Sequence, residues 1–212
     1  SLLLIVSVVG WLPETHPPEA RQPVSPRHLL RDYVGIVRNP RFLRLALAGS
    51  LSFAGLFLYI ASAPAFVMDL LHLDEQQFAW LFLPTIGGMV LGAFLSGRAA
   101  GRIEGTRLVK LGYACMALAM VANVGYNAWA GEDIEVPWAV LPMMLAALGV
   151  ALVFPILTLA ILDMYPRQRG AASSLQAFSN LIVNAVVAGV LSPLLSHHGL
   201  HLALGMAGFV LL

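Results

Sequence analysis

Apolar residues in this chain come in long blocks and do not alternate with polar ones. Five uncharged stretches, 45–68, 78–97, 111–131, 136–162 and 170–196, are separated by short polar segments. A helix needs about 20 residues to cross the hydrocarbon core of a bilayer, so each block predicts a membrane-spanning helix, the longer ones with some tilt. None shows the period-2 alternation of a membrane β-barrel strand. Two incomplete apolar runs flank the five, Ser1–Leu12 and the run beginning at His201. The first is too short to span and lacks the basic flank and cleavage site of a signal peptide. Both runs are expected to be parts of truncated membrane helices. Pro64, Pro84, Pro142, Pro155 and Pro193 lie in or near the blocks. Membrane helices accept proline where neighbouring helices satisfy the freed backbone groups.

The polar segments give the blocks a direction. All 12 Lys and Arg residues fall in alternate loops. Loop 13–44 holds Arg21, Arg27, Arg31, Arg38, Arg41 and Arg44; loop 98–110 holds Arg98, Arg102, Arg107 and Lys110; loop 163–169 holds Arg167 and Arg169. The intervening loops carry Asp69, Asp74 and Glu75, then Glu132, Asp133 and Glu135, then His197, His198 and His201. The positive-inside rule therefore predicts the basic loops in the cytoplasm. The alternation also checks the number of spans, because one missed or invented helix would scatter the basic loops to both sides. Within the first loop, a Pro-rich spacer precedes Ser25-Pro26, an N-cap followed by a first-turn proline. Beyond it, Arg27, Arg31 and Arg38 share one helical face, and Leu29, Leu30, Tyr33, Ile36 and Val37 the other. Two readings fit: a helix lying on anionic lipid, or a linker helix packed on the protein.

Composition narrows the class. The chain is 59% hydrophobic and 11% charged, with a mean hydropathy of +0.82. A soluble domain has about 45–50% apolar and about 25% charged residues. A disordered chain, a nucleic-acid binder and an ordinary soluble enzyme are excluded. The net charge of +1 conceals the sorting of its signs. A single cysteine, Cys115, leaves no internal disulfide and no cysteine-based metal site.

Candidate chemistry is sparse. Ser173, Gln176, Asn180 and Asn184 fall in one narrow arc of their helix, and polar groups at membrane depth should face protein or water. They predict either the wall of an aqueous cavity or hydrogen bonding between helices. Ser50, Ala54, Phe57 and Ala61 form a comparable stripe near Pro64, with an aromatic that suits an apolar or cationic ligand or ordinary packing. Asn123 and Asn127 make a shorter polar pair, and Tyr113 and Tyr126 are expected as interfacial anchors. Gly88, Gly92 and Ser96 are spaced by four, as are Ala46, Ser50 and Ala54, a pattern that lets helix backbones approach, for static packing or for rocking. No Asp, Glu, Lys or Arg lies near the middle of a complete block; Asp69 and Asp163 sit at helix ends. The three C-terminal histidines predict a solvated turn, and no metal or cofactor is expected. No HExxH, GxSxG or buried carboxylate pair points to an enzyme.

Several segments together resemble the C-terminal half of a major facilitator superfamily transporter, and more narrowly the bicyclomycin/chloramphenicol-resistance (Bcr/CflA) drug-efflux subfamily. They are Leu12-Pro13-Glu14-Thr15; Asn39-Pro40-Arg41-Phe42 leading to Phe57-Leu58-Tyr59-Ile60-Ala61-Ser62-Ala63-Pro64; Leu73-Asp74-Glu75-Gln76-Gln77-Phe78; Phe154-Pro155; and Pro166-Arg167-Gln168-Arg169-Gly170-Ala171-Ala172-Ser173-Ser174. The loop 97–107 resembles a degenerate second copy of the superfamily's GxxxDRxGRR motif, with Gly101 where the acid belongs. Its arginines are accordingly expected to fix orientation.

The resemblance implies an all-α polytopic membrane protein, a six-helix half bundle. Residues 1–12 would be the end of helix six, 13–41 the cytoplasmic linker between halves with its amphipathic helix, and 42–212 the C-terminal half from helix seven into helix twelve. It further implies proton-driven multidrug efflux across the bacterial inner membrane by alternating access, with the proton gradient as energy source. The partners implied are an N-terminal six-helix half, hydrophobic or cationic drugs and the lipid bilayer. Arg98, Arg102, Arg107, Asp163, Arg167 and Arg169 become cytoplasmic gate candidates. The alternatives are an uptake permease for a small polar solute and a non-transporting membrane sensor or assembly protein.

Overall fold

The computed structural model describes residues 25–212 together with Val6, Gly10 and Trp11. Apart from those three residues, the expected helix end at 1–12, the Pro-rich spacer 13–24 and the side chain of Arg27 lie outside the described residues.

Every regular element among the described residues is helical. The main helices are α1 (Pro26–Val37), α2 (Pro40–Ala61), α3 (Ala79–Ala99), α4 (Gly105–Ala130), α5 (Leu141–Met164), α6 (Arg169–Val186) and α7 (Gly199–Leu211). Past Pro64, α2 is prolonged by a π-helical turn, Ala65–Leu70; α6 runs on through another, Val187–Leu191, and a last α turn, Ser192–Leu195. Helices α2 to α6 are long and apolar enough to cross a membrane. Three starts differ from the sequence expectation. Residues 136–140 form turns before α5, α2 begins at Pro40 and α4 at Gly105, so that Arg41 and Arg44 ride on the first turns of α2, and Arg107 and Lys110 on those of α4. Long basic side chains at a helix end can keep their charge in water while the stem lies on apolar surface, which is why an uncharged block underestimates the helix.

Local chemistry explains where α1 and α2 start. Pro26 fixes the first turn of α1 after an extended Ser25, whose hydroxyl makes no capping bond. Asn39 caps α2: its Oδ1 accepts from the Arg41 amide at 3.0 Å. The same side chain donates to the Tyr165 hydroxyl at 2.8 Å, and the Phe42 ring meets Tyr165 edge-on with centroids 6.2 Å apart. The Asn39-Pro40-Arg41-Phe42 segment thus ties the entry of α2 to the α5–α6 loop.

Helix α5 is the hub, packed on α2, α3, α4 and α6. Glycines set its distances. A Cβ on Gly88 would run into the backbone carbonyl of Met144, and one on Gly92 would lie 2.6 Å from the Leu148 oxygen. On the other side of α5, a Cβ on Gly112 would lie 2.8 Å from the Gly149 oxygen, and one on Gly149 2.6 Å from the Gly112 oxygen. Both approaches lie within the bundle, and the Gly88–Gly92 notch is a close α3–α5 seam, with Ser96 half-buried one turn on. Ala46, Ser50 and Ala54 are buried in the same way along α2.

Helix α1 docks on the bundle by one edge. Ile36 is buried with Phe42, Ala46, Ile161 and Ala172, and the Tyr33 hydroxyl lies 3.4 Å from Ser174 Oγ. Leu29, Leu30, Val34 and Val37 remain exposed. The packed reading therefore holds for the Ile36 edge, and the outer apolar face is left uncovered. Large apolar side chains also line the outside of the spans, among them Leu83, Val90, Phe94, Leu118, Val121, Phe178 and Leu181. A water-exposed fold does not carry such surface, whereas a lipid-embedded one does. Helix α6 is the most peripheral span, with 11% of its apolar window buried.

Candidate functional site

The polar arc of α6 divides into two kinds of residue. Gln176 is 5% exposed and its Nε2 donates to Thr158 Oγ1 of α5 at 2.8 Å. It is committed to holding α6 against α5. Ser173 is exposed. Asn180 and Asn184 are half-buried, and the Oδ1 of each is cut off from solvent without a hydrogen-bond partner.

Asn180 lines a cavity of about 400 Å³. Phe53 of α2, Met89 and Ala93 of α3, and Val150, Ala151, Phe154 and Pro155 of α5 complete the wall. All of these positions fall near the middle of their helices, and the lining carries no charge. Asn180 contributes its one polar side chain. An apolar concavity with a single oriented polar group is the ordinary build of a small-molecule site.

The α2 stripe takes the packing one of its two expected uses. Ser50 is 1% exposed and Ala54 0% exposed, and the Ser50 hydroxyl closes on the Ala46 carbonyl at 2.9 Å. Neither lines the cavity; small residues let α2 pack closely, and that use buries them. Phe57 and Ala61 are half-buried and also lie outside the lining. The face presented to the cavity is that of Phe53, whose ring packs at a tilt against Phe57 with centroids 5.9 Å apart. Sequence reasoning missed Phe53, Met89 and Phe154. The available signals were the four-residue spacing of Phe53 and Phe57 and the aromatic beside the mid-helix Pro155.

A second polar group lies in the core among α2, α4 and α7. Asn123 donates to the Tyr59 hydroxyl at 2.8 Å and to Met206 Sδ at 3.6 Å. Asn127 Nδ2 donates to the Asn123 carbonyl at 2.8 Å and to its Oδ1 at 3.0 Å. All three polar residues are buried. The expected polar pair on α4 is therefore an interhelical clamp. Tyr113 bonds Ser52 at 3.1 Å. Tyr126 pins the next loop, its hydroxyl accepting from the Glu135 amide at 2.9 Å.

The basic loops gather at one end of the bundle, beside α1, and the acidic and histidine-bearing loops at the other. At the basic end, Arg169 and Asp163 approach to 3.5 Å and Arg107 and Glu104 to 3.9 Å. Arg98 lies over the Phe94 ring at 5.6 Å. Arg102 and Arg167 are exposed. These surface pairs form within single loops, and exposed ion pairs add little stability. At the other end, Asp69, His72, Glu132, His197, His198 and His201 surround an open cavity of about 530 Å³. The His198 and His201 rings sit edge to face, with centroids 5.0 Å apart. Among the described residues, no three His, Cys, Asp or Glu side chains converge on a metal position.

Comparison with known proteins places this architecture. Residues 1–188 match the family model for the Major Facilitator Superfamily. Among curated proteins, the chain is similar to "Multidrug resistance protein MdtM" of Salmonella typhimurium, with 27% identity across 99% of this chain and 51% of that protein. It is also similar to "Multidrug transporter MdfA" of Edwardsiella piscicida, 31% identical over 53% of this chain and 27% of that protein. The "Bicyclomycin resistance protein homolog" of Haemophilus influenzae is 24% identical over 54% of this chain and 31% of that protein. The chain spans about half the length of the first of these relatives.

Proposed function

The chain belongs to the Major Facilitator Superfamily, and from that premise we propose that it works as the C-terminal half of a drug-efflux transporter. Residues 13–41 would be the link between the halves and 42–212 the half itself, embedded in the bacterial inner membrane with the basic loops in the cytoplasm. The observation that carries the reading is the cavity between the middles of α2, α3, α5 and α6, lined by Phe53, Met89, Phe154 and Asn180. An apolar, aromatic wall favours lipophilic drugs over strongly hydrated nutrients, which the desolvation cost of polar groups would exclude.

Alternating access would expose this wall first to one side and then to the other as the two halves rock. The close α3–α5 and α4–α5 seams suit that motion, because they would keep this half rigid while it moves as a body. Energy would come from the proton gradient. An intramembrane proton carrier is an ionisable residue at depth. The spans of this chain hold none near their middles, so the carrier is assigned to the partner half. The cytoplasmic Asp163–Arg169 and Glu104–Arg107 pairs would shape the inner mouth.

The test is export by the whole transporter in cells stripped of their other efflux pumps. The expected result is lowered accumulation of lipophilic dyes and drugs, restored to the control level by a protonophore. Unchanged accumulation across a broad panel of neutral and cationic compounds would refute the reading.

A further inference from the structure

Helix α1 carries an uncovered face of two adjoining stripes. Its docked edge is Ile36, buried among Phe42, Ala46, Ile161 and Ala172, with Tyr33 beside Ser174. Next around the helix come Leu30, Val34 and Val37, all exposed. Arg31 and Arg38, two turns apart and both exposed, follow on the adjoining stripe. An open groove of about 470 Å³, lined by Leu30, Arg31, Val34, Gly35 and Arg38, joins the two stripes. From Pro26 to Arg38 the segment holds three arginines and one acid, Asp32, and Asp32 is half-buried.

The docking also sets the level of α1. Phe42 and Ala46 lie on the first two turns of α2, Ile161 on the last turn of α5 and Ala172 on the first turn of α6. The uncharged blocks 45–68, 136–162 and 170–196 begin or end at these same turns. Helix α1 therefore lies where the apolar surface of the spans gives way to charge, the level of a bilayer's headgroups. Standing free in water, it would expose Leu30, Val34 and Val37 to no purpose. At this level it lays them on acyl chains and keeps its arginines among phosphates. Apolar and basic stripes side by side are the build of a helix that lies in the interface, and guanidinium groups match phosphate in charge and geometry.

We infer that α1 is a seat for anionic phospholipid of the leaflet at the basic end of the bundle. Leu30, Val34 and Val37 enter the boundary between headgroups and acyl chains, and Arg31 and Arg38 bind lipid phosphate along the groove. Anionic lipid thereby holds the linker helix, and with it the entry of α2, against the membrane. The inference stands apart from which compounds the transporter exports.

The test uses the whole transporter, free of other cysteines, with Val34→Cys carrying a nitrobenzoxadiazole fluorophore. The protein is placed in nanodiscs of phosphatidylcholine with or without phosphatidylglycerol. Acrylamide quenching reports water, and quenching by phosphatidylcholine spin-labelled just below its headgroup reports lipid. With phosphatidylglycerol the label should be quenched by the spin-labelled lipid and shielded from acrylamide, relative to the same label at Arg102→Cys in the exposed α3–α4 loop. One arginine beside an anionic surface favours the seated state by about fivefold, so the ratio of lipid to acrylamide quenching should rise by about that factor or more when phosphatidylglycerol is added. Arg31→Gln with Arg38→Gln should abolish the rise, and Arg31→Lys with Arg38→Lys should keep most of it. In unlabelled protein in detergent, added phosphatidylglycerol should raise the unfolding midpoint of the wild type more than that of the double glutamine variant. A label shielded from both quenchers puts another part of the protein on this face and overturns the inference, as does a label open to acrylamide in both kinds of nanodisc. Equal quenching ratios with and without phosphatidylglycerol, or equal midpoint shifts in the wild type and the glutamine variant, overturn the role of the arginines.

Discussion

Gly87 and Gly88 are neighbours on α3 with opposite surroundings, and substituting each with alanine tests the seam that makes α5 the hub. A Cβ on Gly87 would meet nothing within 4 Å. A Cβ on Gly88 would run into the Met144 carbonyl, with the carbonyl carbon at 2.9 Å and Cα at 3.1 Å. These are backbone atoms of a packed helix and cannot rotate aside. Ordinary contact begins at 3.4 Å, so α3 and α5 must part by roughly an ångström along a well-packed face. Overpacking of this kind costs about 1–3 kcal/mol. Gly88→Ala is therefore expected to destabilise by about 2 kcal/mol, while Gly87→Ala should be neutral or stabilise by up to about 1 kcal/mol through helix propensity. In a protein of about twice this chain's length 1 kcal/mol moves the midpoint by about 1–2 °C. The assay is thermal unfolding of the whole transporter in detergent. The midpoint should fall by about 2–4 °C for Gly88→Ala and stay level or rise slightly for Gly87→Ala. Equal shifts for the two variants, or a larger loss for Gly87→Ala, would refute the seam.

Three further outcomes follow from the hydrogen bonds. Asn123→Ala takes the donor from the buried Tyr59 hydroxyl and one of the two acceptors from the Asn127 amide, and should cost about 2–3 kcal/mol, more than Tyr59→Phe, by the same thermal assay. Ser62 and Ser192 bond at 2.7 Å and join α2 to the end of α6; a double-mutant cycle of Ser62→Ala and Ser192→Ala should return a coupling of about 1 kcal/mol, and additive effects would contradict the bond. Asn39→Ala removes both the cap of α2 and the tie to Tyr165 and should cost about 1–2 kcal/mol, with a smaller loss in Tyr165→Phe.

The number and order of spans were legible because membrane helices need long uncharged blocks, and all five appear where those blocks lie. The Gly88–Gly92 notch was legible because it repeats at four residues. Gly112 and Gly149 were not, since neither has a glycine or serine one turn away, and their importance exists only where α4 meets α5. The polar arc of α6 could be read as polar but not divided into roles. Whether Gln176 is committed and Asn180 uncommitted depends on the register of α5, which puts Thr158 opposite the one and an apolar hollow opposite the other. On α2, the spacing of Ser50, Ala54, Phe57 and Ala61 suggested a cavity face, while their small size served packing; the cavity received Phe53 instead. The preference for small residues at close helix contacts competes with every argument that uses the same residues as a ligand surface.

The central claim is that the hollow between α2, α3, α5 and α6 is where drugs bind. Its most direct test is substrate protection of a single cysteine in the whole transporter with Cys115 replaced by alanine. Ala93→Cys and Ala151→Cys should each react with a membrane-permeant maleimide. Saturating N-phenyl-1-naphthylamine should slow that reaction at both positions, while Leu118→Cys on the outer face of α4 should be unaffected. Labelling at Ala93→Cys and Ala151→Cys that proceeds at the same rate with and without the compound would contradict the account.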